Sequence, residues 1–212
     1  IDRSLVGSEM CIRDRYLHRY LSVARVKDYC PNGLQVEGRA EIKKIVTGVT
    51  ANQRLIDRAI DLHADALLVH HGYFWKGEAS TIVGMKKRRI QRLLEHDINL
   101  FAYHLPLDLH ADVGNNAQLA RVLNWTLVSE DLVNGLLPIV RRVQFDVPQS
   151  GEQVVRQLFQ RLGREPMHIV ADRPIKTIAL CTGAAQSYIH DAVALGVDAF
   201  LSGEISEQTV HE

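Results

Sequence analysis

The chain has 212 residues, 46% hydrophobic and 24% charged, which suits a soluble globular protein of one large or two small domains. Lys+Arg and Asp+Glu balance at 25 each, so no global field draws in nucleic acid or an anionic membrane, and neither is an expected partner. Cys11, Cys30 and Cys181 are widely spaced with no Cys-x-x-Cys pair, which argues against a disulfide framework and a thiolate zinc site and fits the reducing cytoplasm. No apolar run approaches the ~18 residues of a membrane span. Residues 1–15 show no helical or strand period and no signal-peptide layout; they read as an artefactual leader outside the fold.

Residues 16–26 place Leu17, Tyr20, Leu21 and Ala24 at helical spacing, and Pro31-Asn32-Gly33 is a turn signal. Ile42–Val49 alternates and is β-branched, so a strand is expected. A helix follows over 52–63, with Leu55, Ile56, Ala59 and Ile60 on one face. The run Ala66-Leu67-Leu68-Val69 then reads as a buried strand and delivers His70-His71-Gly72 at its end. A helix is predicted over 82–96, with Ile90, Leu93 and Leu94 inward. Its basic run, Lys86 to Arg92, is a solvated face, an anion-steering role being the weaker reading.

Ile98–Tyr103 is the next expected strand, ending in His104-Leu105-Pro106-Leu107-Asp108. A short helix over 115–123 is expected to carry an Asn cap. Residues 127–147 read as strand, broken at Asn134-Gly135 and closed by Pro148. Ser150-x-x-Gln153 is a capping box for a helix with Val154, Val155, Leu158, Phe159 and Leu162 inward and Gly163 beyond its end. Residues 167–170 read as a strand. Thr182-Gly183 is either a plain βα turn or an anion site at a helix start. The last residues, Val210-His211-Glu212, read as the start of a helix in a chain that continues.

The chain also repeats itself. Residues 42–71 align on 175–204 without gaps, with 11 of 30 positions identical against about 2 expected by chance. The offset of 133 residues describes a duplicated βαβ unit, too long for a solenoid. The expected fold is therefore α/β: two α/β lobes carrying the duplicated βαβ unit, with a metal cleft between them. Residues 16–126 form the first domain and 127–212 the second, incomplete at its C-terminal end.

Ligands are held at the carboxyl ends of strands in open α/β sheets. His70 and His71 stand at such an end, either as histidines bonded to backbone or as ligands, and Gly72 gives freedom to bend. With His104 and Asp108 they make a nitrogen and carboxylate set suited to Zn²⁺, Mn²⁺, Fe²⁺ or Co²⁺. An Asp can bridge two such ions, which acidify water near neutral pH. No dinucleotide, phosphate-loop or serine-hydrolase motif is present.

The segments Pro31–Val36, Val46–Thr50, Val69–Gly77, His104–Asp108, Cys181-Thr182-Gly183 and Gly203-Glu204 occur together in an order and spacing that carries a resemblance. Over residues 16–212 the chain resembles the YbgI-type dinuclear metal-centre proteins, often labelled GTP cyclohydrolase 1 type 2 homologues. That resemblance implies a two-domain α/β fold, a homohexameric ring and two divalent metal ions. It makes His70, His71 and Asp108 ligands, Asp108 the bridge, and sets His104 and Glu204 beside the metal or the substrate. It also implies a further His and Glu, four residues apart and downstream; the adjacent His211 and Glu212 do not match them. Three functions follow: a metal-dependent hydrolase of a small nucleotide-like substrate, a phosphoester or amide hydrolase, and a non-catalytic metal-binding hexameric scaffold or regulatory protein.

Overall fold

A computed structural model describes residues 15–128 and 138–212. The expected leader, Arg15 excepted, and the Asn134-Gly135 break lie outside the described residues. The chain divides into two compact units, the first ending at Leu107 and the second running from Asp108 to Glu212.

In the first unit the helical residues 15–20 (α1) precede β1 (Gly33–Val36), β2 (Ile45–Thr50), α2 (Gln53–Asp61), β3 (Ala66–His71), α3 (Gly84–Glu95) and β4 (Asn99–Ala102). The sheet order is β1-β4-β3-β2, with β1 antiparallel and the others parallel. Alternation along β3 and β4 sorts the core into two layers. Leu67, Val69, Leu100 and Ala102 pack with Ile56, Ala59, Ile90 and Leu93 of α2 and α3. Ala66, Phe101 and Tyr103 pack with Leu21 and Ile42 on the other face. A parallel sheet covered on both faces needs near-continuous apolar strands, and β4 is buried at all four positions. Asn52 caps α2 by accepting the Leu55 amide. Leu94 is exposed, unlike the expectation, because only Ile90 and Leu93 of its helix meet the sheet. β1 went unrecognised behind its turn signal; it exists because Gly33–Val36 pairs with β4 across the chain.

The turn α4 (Leu105–Asp108) leads into the second unit, which holds α5 (Asn115–Leu123), β5 (Arg141–Gln149), α6 (Gly151–Leu162), β6 (Ile175–Cys181), α7 (Ile189–Ala194), β7 (Ala199–Ser202) and α8 (Glu207–His211). Its sheet runs β5-β6-β7, antiparallel then parallel. Although the sequence reading grouped α5 with the first half, Ala120, Leu123 and Trp125 pack with Val143, Phe145, Val154 and Leu158. The capping box at Ser150 and Gln153 forms, and Gly163 takes the left-handed conformation with φ 68°.

Three expectations change here. Gly114, without a side-chain bond, precedes α5 in place of an Asn cap, and Asn115 turns instead to Asp108. Phe159 and Leu162 are exposed on α6. Residues 167–170 form no strand, since none of the described residues pairs with them in a ladder, and Met167, Ile169 and Val170 stay exposed.

The duplicated unit is real in three dimensions. Ile45, Val46, Thr47 and Gly48 pair with Ala66, Leu67, Leu68 and Val69. Ile178, Ala179, Leu180 and Cys181 pair with Ala199, Phe200, Leu201 and Ser202, each partner shifted by the same 133 residues.

Candidate metal centre

β3 places His70 and His71 on its last two positions. Strand alternation would send them to opposite faces, yet their ring centroids lie 4.5 Å apart. His104 follows the neighbouring parallel strand β4, with its ring 5.0 Å from His70 and 5.6 Å from His71. One ligand nitrogen from each of the three lies within 4.8 Å of the others, close enough to share an ion. The ring of Trp75 walls the group, 4.9 Å from His104 and 5.9 Å from His71.

Hydrogen bonds settle where the lone pairs are. His70 Nδ1 lies 2.9 Å from the Tyr103 carbonyl, which can only accept, so Nδ1 carries the proton and Nε2 the lone pair. His104 Nδ1 lies 2.8 Å from Asp28 Oδ1 and is assigned the same tautomer. His71 Nδ1 lies 3.3 Å from the Thr50 hydroxyl, which can donate or accept. Carbonyl–His and carboxylate–His pairs of this kind orient metal-ligating imidazoles.

Gly72 acts by lacking a side chain, and its backbone is outside the left-handed region. A Cβ there would overlap Gln35 Oε1 and sit 2.7 Å from the Ala102 Cβ. That space lets Gln35 Oε1 accept the Tyr73 amide at 2.7 Å. The Tyr29 carbonyl accepts the Lys76 amide at 2.6 Å, so residues 29–35 tether the 72–76 loop at both ends. The Tyr73 hydroxyl donates to the Ala51 carbonyl at 2.7 Å.

A second group, Asp28, Cys30 and His104, also has a ligand atom from each within 4.8 Å. Its carboxylate is already engaged: Asp28 Oδ1 accepts the Tyr29 amide and His104 Nδ1, and Oδ2 accepts Asn32 Nδ2 and the Leu105 amide. Burial, reinforced by the Asp28 carboxylate, pushes the Cys30 thiol up to about 12. The three-imidazole group suits a borderline divalent ion.

Among the expected site residues, His70, His71 and His104 are brought together. Asp108 closes the turn α4, four residues after His104, and Asn115 Nδ2 donates to its Oδ1 at 2.6 Å. Glu204 is exposed between β7 and α8 in the second unit. Asp28, Asn32 and Gln35 were missed as site residues. The only sequence signal was that they flank or occupy the Pro31-Asn32-Gly33 turn, which says nothing about a contact 76 residues away.

The sequence profile of Duf34/NIF3 (NGG1p interacting factor 3) matches residues 13–212. The chain belongs to this family. A relative from Pseudomonas aeruginosa, named GTP cyclohydrolase 1 type 2 homolog, is 54% identical over 193 residues, covering 91% of this chain and 77% of the relative. A Vibrio cholerae protein of the same name is 52% identical over 198 residues, 92% of this chain and 78% of its own. Among solved structures, protein ybgI, described as of unknown function, aligns with a TM-score of 0.88 at 46% identity over 95% of this chain and 80% of that one. A protein of Thermus thermophilus aligns with a TM-score of 0.81 at 35% identity, with the same coverage. No helix among the described residues of this Duf34/NIF3 chain is long and apolar enough to cross a membrane.

Proposed function

We propose that this Duf34/NIF3 chain is a dinuclear metal-binding protein that hydrolyses a small, nucleotide-like substrate in the cytoplasm. The observation that carries the reading is the convergence of His70, His71 and His104, with ring-nitrogen ligand atoms within 4.8 Å and Nδ1 of two rings facing an oxygen acceptor. In this reading His70, His71 and Asp108 would hold the ions, His104 would add its imidazole to the group, and Glu204 would stand beside the metal or the substrate. A divalent ion there supplies Lewis acidity and makes water more acidic. The chain's own groups do the rest: the Tyr103 carbonyl and Asp28 orient two rings, and Trp75 shields one side of the group from solvent. Zn²⁺, Mn²⁺, Fe²⁺ and Co²⁺ all suit these donors. The substrate class follows the names of the curated relatives. Assembly as a homohexamer belongs to the same proposal.

The test is turnover of GTP, other nucleotides, phosphodiesters and cyclic amides by metal-loaded and chelated protein. Hydrolysis of a nucleotide that disappears with chelator supports the reading. Metal bound without turnover across the panel overturns the hydrolase and leaves a metal-binding scaffold.

A further inference from the structure

Four donors converge on the carboxylate of Asp28. Oδ1 accepts the Tyr29 amide at 2.6 Å and His104 Nδ1 at 2.8 Å. Oδ2 accepts Asn32 Nδ2 at 2.8 Å and the Leu105 amide at 2.9 Å. The side chain is 3% exposed, so water supplies little of this bonding. Each oxygen therefore serves as an acceptor for two donors. Asn32 is fixed in its turn, because its Oδ1 accepts the His104 amide at 2.7 Å.

We propose that Asp28 is a positioning residue: it locks His104 in the Nδ1–H tautomer and so directs the Nε2 lone pair toward His70 and His71. The consequence for metal affinity rests on the metal-binding reading above; the tautomer does not. A carboxylate serving only to tie down the β4–α4 corner would use the Leu105 amide and Asn32 and be indifferent to the ring's proton.

Asp28→Asn separates the two roles. One of the two acceptor atoms becomes an NH₂ donor and must face one of the two donor pairs. Backbone amides of Tyr29 and Leu105 can only donate, and Asn32 is held by its other contact. His104 alone can switch from donor to acceptor. The new amide should therefore turn toward His104, which then accepts at Nδ1 and carries its proton on Nε2. That proton removes the lone pair from the imidazole group.

The experiment is long-range ¹H–¹⁵N correlation of the His104 ring in metal-free, ¹⁵N-labelled chain at a pH where the ring is neutral. Zinc affinity is then measured by competition with a chromophoric chelator. Wild type should show protonated Nδ1 and bare Nε2. Asp28→Asn should invert the pattern and weaken zinc binding about 10–100-fold. Asn32→Ala, which loosens the same corner but leaves the Asp28–His104 bond, should keep the wild-type tautomer. A wild-type ring protonated at Nε2 overturns the proposal whether or not any variant folds. So does an Asp28→Asn ring that stays protonated at Nδ1. If the tautomer inverts while wild type binds no zinc, the positioning role stands and the metal-binding reading fails.

Discussion

Asp65 and Asp198 make the same pair of bonds in the two units. Asp65 Oδ2 accepts the amides of Lys43 and Lys44, each at 2.8 Å. Asp198 Oδ2 accepts the amides of Lys176 and Thr177 at 3.0 and 2.9 Å. Donors and acceptors are all related by the 133-residue offset that also relates the strand registers. Each carboxylate sits just before a parallel strand and caps the amides that open its neighbour, so the duplication preserved a strand-entry clamp.

Replacing either Asp by Ala strands two amides without an acceptor and should cost about 1–3 kcal/mol. Chemical denaturation of each variant at neutral pH measures the loss.

Acid should expose the same clamps. At Asp65 burial works against ionisation, but the Lys44 and Lys43 amides and Arg39 outweigh it and hold the carboxyl below its ordinary 3.8. At Asp198 the Lys176 amide leads, burial opposes it, and Thr177 adds to the lowering. A lowered native pKa gives stability that is complete above 3.8 and is lost as pH falls through the native value. Denaturation between pH 5 and about 2 should show a wild-type loss that is smaller in Asp65→Ala and Asp198→Ala; equal acid sensitivity in all three would refute it.

The two copies differ two residues before these carboxylates. His63 ends α2 in the left-handed region at φ 52°, and its counterpart Gly196 ends α7 at φ 67°. A side chain in that conformation costs roughly 1–2 kcal/mol, and glycine escapes the penalty. His63→Gly should raise the midpoint of thermal unfolding, with a gain near 1 kcal/mol after the entropy of glycine in the unfolded chain is counted. Gly196→Ala should lower it by a similar amount, since the space there is open and only the backbone objects.

Gly72→Ala tests the packing behind the imidazoles. The new Cβ meets Gln35 Oε1 and the Ala102 Cβ, so the Tyr73 amide loses its acceptor or β4 shifts. The expected cost is about 1–3 kcal/mol, with weaker metal binding. Adding Gln35→Ala should recover part of the stability by clearing the nearer clash. A double variant no better than the single one would show the obstruction to be Ala102.

Much of this was readable in the sequence because the signals were local. Four aliphatic residues before His70-His71 specify a buried strand and its end. Ser150, Gln153 and Gly163 specify both ends of α6 through caps that span a few residues. The repeat was readable because identical positions, Asp65 and Asp198 among them, keep their bonds. What escaped depends on partners distant in sequence. β1 exists only against β4, the apolar 167–170 stretch found no strand to pair with, and Asp28 reaches His104 across 76 residues. Helix faces failed in the same way, since Leu94, Phe159 and Leu162 obey the apolar period but lie beyond the reach of the sheets.

The most direct test of the metal centre is the divalent-ion content of the chain after saturation with zinc and gel filtration, measured by mass spectrometry. His70→Ala, His71→Ala and His104→Ala are compared with His63→Ala, whose exposed ring lies at the end of α2. Wild type and His63→Ala should retain bound zinc, and each of the three site variants should lose at least one ion per chain. Wild-type protein that emerges metal-free, or site variants that keep the full wild-type content, would contradict the assignment of His70, His71 and His104 as a metal-binding group.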